Sequence, residues 1–489
     1  MREIFAFIST ILAEFGDCFK RKPALAWFVT IVMGLMLRSD MLGLTSIVRE
    51  LFLEPKSYYG LLHFFLADSW KLQALRIRWW QIIKSHAPLC LLDGYLIMVA
   101  DGVKVSKDGL KMPALGKHHQ ESESQSKPEY IWGHHWGCVG LLMGQNGNLH
   151  CVPASLRIHS GLKDVVNWDG ADPRWSESHV VQMVQDCCEV TKSMVQKAIA
   201  IMDRYYLTVP ALRAYQKARQ EDCELELIIK VKKNCVAFDH PPVKESAQRG
   251  RPRKRGDAVR LWDLFSSKEA MFKEVELEVY GERKKIKYHC VNLLWGKTVY
   301  QAMNFILVVW DDGVKSILAC TKKDLDPETV ISLYSYRVKI ESLFRTFKQT
   351  SDGFGYHFWS KYIPRLNHFA KSSEPTPLSQ VTEEKKRAKI LKKVFAIERF
   401  VLTSSIAVGI AQIVAVKFGA TIKNNLPWQR TPTNVTPSVA NTVRYLRERI
   451  WHALANTHEN DILQLIRLHQ IKFSEDYDYW HDDLWEQTS

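Results

Sequence analysis

Four polar side chains of a short segment, Tyr334, Arg337, Glu341 and Lys348, recur at a spacing that gathers them on one side of a helix. At ~100° per residue they fall within an arc of about 60°, and Leu333, Ile340, Leu343, Phe344 and Phe347 take the neighbouring face. A carboxylate flanked by cations suits a hard metal ion beside phosphate oxygens. The same pattern also suits a solvated helix face with an i,i+4 pair between Arg337 and Glu341. Two further acids, Asp101 and Asp203, each close a short apolar run, Tyr95–Ala100 and Ala198–Met202. Each alone reads as a strand-end or turn cap. In-line displacement at phosphorus uses two hard divalent cations about 3.5–4 Å apart, and three carboxylates converging from separate elements suffice to hold them. Asp93 rivals Asp101 as an Asp-Gly, but it precedes its apolar run instead of ending it.

The elements that must position these residues are legible from periodicity. Residues 1–88 repeat apolar side chains at helical spacing, as in Ile4, Phe5, Ile8 and Leu12. Two apolar runs then flank Gln145-Asn-Gly-Asn148, which predicts a hairpin. Ser176–Lys197 and Ala211–Arg219 read as helices, so the order is strand, hairpin, helix, strand, helix. From about Asp222 to Thr321 short alternating or apolar runs predict a β-rich segment. Helical spacing returns at Pro327–Lys348, Glu383–Phe418 and Pro437–Phe473, ahead of an acidic, aromatic tail from Glu475.

Composition bounds the function. The chain has 489 residues, 46% hydrophobic and 25% charged, the balance of a globular protein of about three domains. Its net charge of +14 favours an anionic partner. Ten scattered cysteines without a C-x-x-C pair read as reduced thiols of a cytoplasmic protein. The most apolar segment, Ala24–Leu37, is shorter than the ~18–20 residues of a membrane span and reads as a buried helix. No membrane is expected.

The Tyr334, Arg337, Glu341, Lys348 spacing resembles the Y-R-E-K signature of the insertion-sequence-four family of bacterial DDE transposases. Such a pattern should arise by chance in well under ~1 in 100 chains of this length. The resemblance implies an α/β fold whose RNase H-like catalytic core, interrupted by a β-rich insertion, is flanked by helical terminal regions. The implied divisions are 1–88 for DNA binding, 89–221 and 326–375 for the split core, 222–325 for the insertion, and 376–489 for dimerisation or DNA contact. It further implies that Asp101, Asp203 and Glu341 bind two Mg²⁺ ions, for which Mn²⁺ substitutes, and that Tyr334, Arg337 and Lys348 grip DNA phosphates. The implied activity is cleavage at the terminal inverted repeats of the element and joining of the 3′ ends to target DNA, with double-stranded DNA and a second copy of the chain as partners. A non-catalytic DNA-binding relative and an RNase H-like nuclease without strand transfer remain alternatives.

By the same resemblance an aromatic residue of the insertion stacks on a flipped base, with Trp310 and Trp295 as candidates, each of which also reads as core. Arg249, Arg251 and Arg253 punctuate a basic Gly/Pro loop suited to DNA. His118, His119, His134, His135 and Cys138 lack the usual spacing of zinc ligands and read as structural or substrate-loop residues.

Overall fold

The computed structural model describes residues 2–41, 43–120, 129–145, 148–242, 253–367, 377–426, 428, 436–459 and 461–471. The fold is mixed α/β. Its strands are β1 (Leu91–Leu92), β2 (Tyr95–Ser106), β3 (Gly116–His119), β4 (Tyr130–Gln145), β5 (Asn148–Ile158), β6 (Ala198–Met202), β7 (Leu225–Lys230), β8 (Val236–Phe238), β9 (Ala258–Arg260), β10 (Lys273–Val279), β11 (Glu282–Trp295), β12 (Gln301–Val309) and β13 (Lys315–Cys320). All thirteen belong to one sheet.

β2 is the organising strand. It pairs antiparallel with β4, which pairs antiparallel with β5 on its other edge, and it pairs parallel with β6. β6 in turn pairs parallel with β7. The parallel strands are covered on both faces, so β6 is buried at all five positions and reads as a continuous apolar run. The crossover between β2 and β6 carries the helix His179–Met194, and the helix Val209–Gln220 leads from β6 to β7. That second helix starts where the Thr208 side chain accepts from the Ala211 amide, with a proline in its first turn.

Three expectations change. The apolar run before Asp101 ends there, but the strand continues to Ser106 because β4 supplies partners as far as Ser106↔Gly133. Leu225–Lys230, expected to open the β-rich insertion, belongs instead beside β6, and the later strands extend the same sheet through β13, β12 and β11. Finally, the buried core runs across the division at residue 88, because the N-terminal helices pack on β5 and on the C-terminal helices as well as on one another.

The long helix Glu384–Lys417 fills the centre of that helical layer. It is long and apolar enough to cross a membrane, but 89% of its most apolar window is buried within the protein. The helix Leu72–His86 joins it to the sheet. Trp79 and Trp80 each donate from Nε1 to β5 carbonyls, of Pro153 and Ala154, at 2.8 Å. Arg76 pairs with Glu398 at 2.9 Å with both side chains only 6% exposed. Arg399 donates to the carbonyls of Phe65 and Trp70.

Candidate active site

The segment expected as one helix from Pro327 to Lys348 is two, Pro327–Ser335 and Val338–Gln349. Across the join, i→i+3 bonds replace i→i+4 ones: Tyr336 and Arg337 donate to Leu333 and Tyr334, and Ile340 donates to Arg337. Tyr334 therefore lies in the last turn of one helix, and Arg337, still in the right-handed region, caps the next. Asp326 starts the first helix by accepting from the Thr329 amide at 3.0 Å. Ile340, Leu343 and Phe347 bury the inner face of the second against β5 and β2. That seating brings the opposite shoulder, with Glu341, over the middle of β2.

There the acids meet one cation. Arg337 donates to Asp101 Oδ2 at 3.0 Å and to Glu341 Oε1 at 2.8 Å. Asp101 also accepts the Gly102 amide at 2.7 Å. The Asp101 carboxyl is pushed up to about 6 by burial, which outweighs the opposing pull of Arg337 and the Gly102 amide, and the negative charges of Asp203 and Glu341 add a smaller push. Burial alone would lower Arg337, but Tyr334, Asp101, Asp203 and Glu341 together raise it. Tyr334 is buried and its hydroxyl pushed up, chiefly by that burial, with Asp203 and Asp101 adding to it against the pull of Arg337.

Asp101 and Asp203 line a cavity of about 1180 Å³. Lys348 and Phe344 reach it from the helix that carries Glu341, and Lys104, Lys107 and Lys117 supply further positive charge. Glu341, 56% exposed, is not among the lining residues and is joined to Asp101 through Arg337. Asp203, Asp101, Glu341, Tyr334, Arg337 and Lys348 are thus brought to one region of the protein. Asp93 is not among the cavity's lining residues and sits in the β1–β2 turn with φ 48°.

No family model and no curated protein matches the chain. The donor chemistry of the site must therefore be weighed by itself. Three carboxylates offer hard oxygen donors, and the Asp101 carboxyl, raised to about 6 chiefly by burial, would be favoured in its charged form by the positive charge of a divalent cation. In the present arrangement the Arg337 guanidinium supplies it instead, and among the described residues no three His, Cys, Asp or Glu side chains stand close enough together to hold a metal ion.

The other candidates lie elsewhere. Trp295 donates to Cys235 Sγ at 2.9 Å. Trp310 donates to Ser316 Oγ at 2.9 Å and lies 5.9 Å from the ring of Tyr280. Tyr280, which the sequence gave no reason to single out, stands in the β10–β11 turn with φ 55° and is exposed. It is near enough for Arg337 and Glu341 to bear on its hydroxyl, so it links Trp310 to the acids. Arg253 is exposed, and Arg249, Arg251 and the acidic tail lie outside the described residues. His118, His119 and His135 line the cavity, whereas His134 is buried, held by the Tyr356 hydroxyl at 2.7 Å and the Pro113 carbonyl at 2.8 Å. His179 and Tyr206 also line the cavity. A lone histidine or tyrosine carries no spacing signal, so the sequence offered nothing to mark them.

Proposed function

We propose that this protein is a DDE transposase related to the insertion-sequence-four family, which cleaves DNA at the ends of its own element and joins the 3′ ends to target DNA. The observation that carries the reading is the convergence on one basic-rimmed cavity of Asp101, Asp203 and the helix bearing Glu341, three elements far apart in sequence. The antiparallel hairpin beside β2, with β6 parallel to it, supports an RNase H-like core. A DNA groove also accounts for part of the +14 charge.

In this reading Asp101, Asp203 and Glu341 would hold two Mg²⁺ ions, for which Mn²⁺ would substitute, once Arg337 releases Asp101 and Glu341. When bound, the ions supply an activated oxygen nucleophile and a stabilised leaving oxygen. Arg337 exchanges its carboxylate partners for a DNA phosphate, and Lys348, Lys104 and Lys117 steer the backbone into the cavity without reading sequence. Tyr334, anchored in the core, holds the turn on which Arg337 sits. The long buried helix is consistent with a protein that works in the cytoplasm on chromosomal DNA.

The test is Mn²⁺-dependent nicking of a supercoiled plasmid carrying the chain's own gene with its flanking DNA. Wild type should nick at the element ends and yield strand-transfer products. Glu341→Gln should lose at least about 10²-fold in rate while DNA affinity changes little, since it removes a metal-binding group and leaves the basic rim. Equal cleavage by Glu341→Gln refutes the site. Nicks without joining would favour a nuclease, and binding without nicking a non-catalytic relative.

A further inference from the structure

A second polar constellation lies beneath the acids. His159 Nε2 is 2.9 Å from Asp186 Oδ2, His159 Nδ1 is 2.9 Å from His179 Nδ1, and His179 Nε2 is 2.8 Å from the Tyr206 hydroxyl. The side chains of His159 and Asp186 are each 1% exposed, and Tyr206 is equally buried. His179 is partly buried and reaches the cavity, and the buried groups on either side of it must find their partners within the protein, so that the direction of each hydrogen bond is constrained by its neighbours.

Asp186 fixes one end. It pairs with Arg157 at 3.5 Å and Arg174 at 3.3 Å, and these charges keep it an acceptor. Burial would raise its carboxyl, but Arg157, the His159 hydrogen bond and Arg76 outweigh that and hold it below the ordinary range. His159 must then donate from Nε2, which leaves its Nδ1 lone pair to accept from His179 Nδ1–H. His179 is kept neutral, first by burial and then by His135, His159 and Lys104, so its Nε2 accepts from Tyr206. The opposite tautomer would require His159, whose side chain is 1% exposed, to donate from both nitrogens and so to add a third cation around Asp186, which already pairs with Arg157 and Arg174.

The other end of the run faces the candidate active site. Tyr206 closes the turn after Asp203, donating its backbone amide to the Asp203 carbonyl at 3.0 Å, and it lines the same cavity as Asp101 and Asp203. The two histidines also press on β2. A Cβ on Gly102 would lie 2.7 Å from His135 Nε2 and 3.0 Å from His179 Nε2, and the His135 and His179 rings are 4.0 Å apart. Glycine next to Asp101 is what leaves room for the rings.

We infer that Asp186, His159 and His179 are positioning residues that commit the Tyr206 proton away from the acids, so that the Tyr206 oxygen presents lone pairs to the cavity and accepts a hydrogen bond from the oxygen nucleophile of phosphoryl transfer, a water or a DNA 3′-hydroxyl. The inference rests on the function proposed above. It assigns Tyr206, which no motif marks, a direct contact with the reacting oxygen, and it makes the direction of a buried hydrogen-bond run the feature that orients that oxygen.

Two measurements on the full-length protein test it. In ¹⁵N-histidine spectra, His179 should be the Nδ1–H tautomer and His159 the Nε2–H tautomer. A His179 Nε2–H tautomer at neutral pH overturns the proposed direction. In single-turnover nicking of the plasmid with Mn²⁺, Tyr206→Phe should lose about 10²-fold in rate with KM for DNA within about twofold, as expected for a contact made to the reacting group. His159→Gln should fall between wild type and Tyr206→Phe if it melts within a few degrees of wild type. An unchanged rate for Tyr206→Phe, with wild type active, overturns the role and leaves the proposed function standing. Loss of rate and of DNA affinity together, with a lowered melting temperature, assigns the run to fold stability alone and also overturns it. If wild type leaves the plasmid uncut, the proposed function fails and this role falls with it, while the spectra still decide the tautomers.

Discussion

Replacing Asp101 by Asn should make the protein more stable near neutral pH, and only there. The carboxyl titrates at about 6 in the folded protein against an ordinary 3.8. At about 1.4 kcal/mol per pH unit, that gap means ionised Asp101 costs the fold about 3 kcal/mol. A quarter of the side chain is exposed, so solvent screening reduces the figure. The substitution also gives up the hydrogen bond from Arg337, but Arg337 keeps Glu341 at 2.8 Å, and Asn can still accept the Gly102 amide. The expected net gain is about 1–2 kcal/mol near pH 7.5. A carboxyl whose folded value lies above its unfolded one binds its proton more tightly when folded. Its contribution is therefore most favourable below about pH 4, declines as pH rises through about 6, and is level above that. The gain from Asp101→Asn should follow the same course and shrink towards zero near pH 4. Urea unfolding of both proteins from about pH 4 to 8 reads the difference, and every other titrating group cancels in it. A variant less stable than wild type near neutrality, or a gain that does not change with pH, refutes the account of Asp101 as a carboxylate held in its charged form against burial. Addition of Mn²⁺ should raise the melting temperature of wild type more than that of the variant, a readout that needs no catalysis.

Two further outcomes follow from the same geometry. Arg337→Ala removes the cation that draws Asp101 downward, so the gain from Asp101→Asn should still begin near pH 4 but level off at a higher pH, and at a larger value, than in the wild-type background, measured by the same unfolding series. Glu398→Gln strands the buried charge of Arg76, which Arg157 already repels, and should cost about 3–5 kcal/mol in denaturant unfolding, while Arg76→Met with Glu398→Leu should recover most of it.

The sequence carried the local features because they are written in nearby residues. Periodicity marked the helices at His179–Met194, Val209–Gln220 and Glu384–Lys417 and the five-residue strand before Asp203, since both apolar spacing and strand burial are short-range. The spacing of Tyr334, Arg337, Glu341 and Lys348 named the candidate residues before their positions in space were known. It did not show that a tightened turn divides Tyr334 from Glu341, because the residues at the join have ordinary helical propensity and the i→i+3 bonds arise only where each helix is seated.

What the tertiary structure decided was partnership. Leu225–Lys230 reads the same whether it opens an insertion or completes the parallel strands, and only pairing with β6 settles which. The N-terminal helices look self-contained until Trp79 and Trp80 are found bonded to β5 and Arg76 to Glu398, more than 300 residues later in the chain. Arg337 could be matched to Glu341 from the i,i+4 rule, but its second bond, to Asp101, spans 236 residues. The run from Asp186 to Tyr206 is likewise invisible in sequence, because histidines and tyrosines carry no periodic signal and acquire their tautomers and partners only when burial removes water as the alternative.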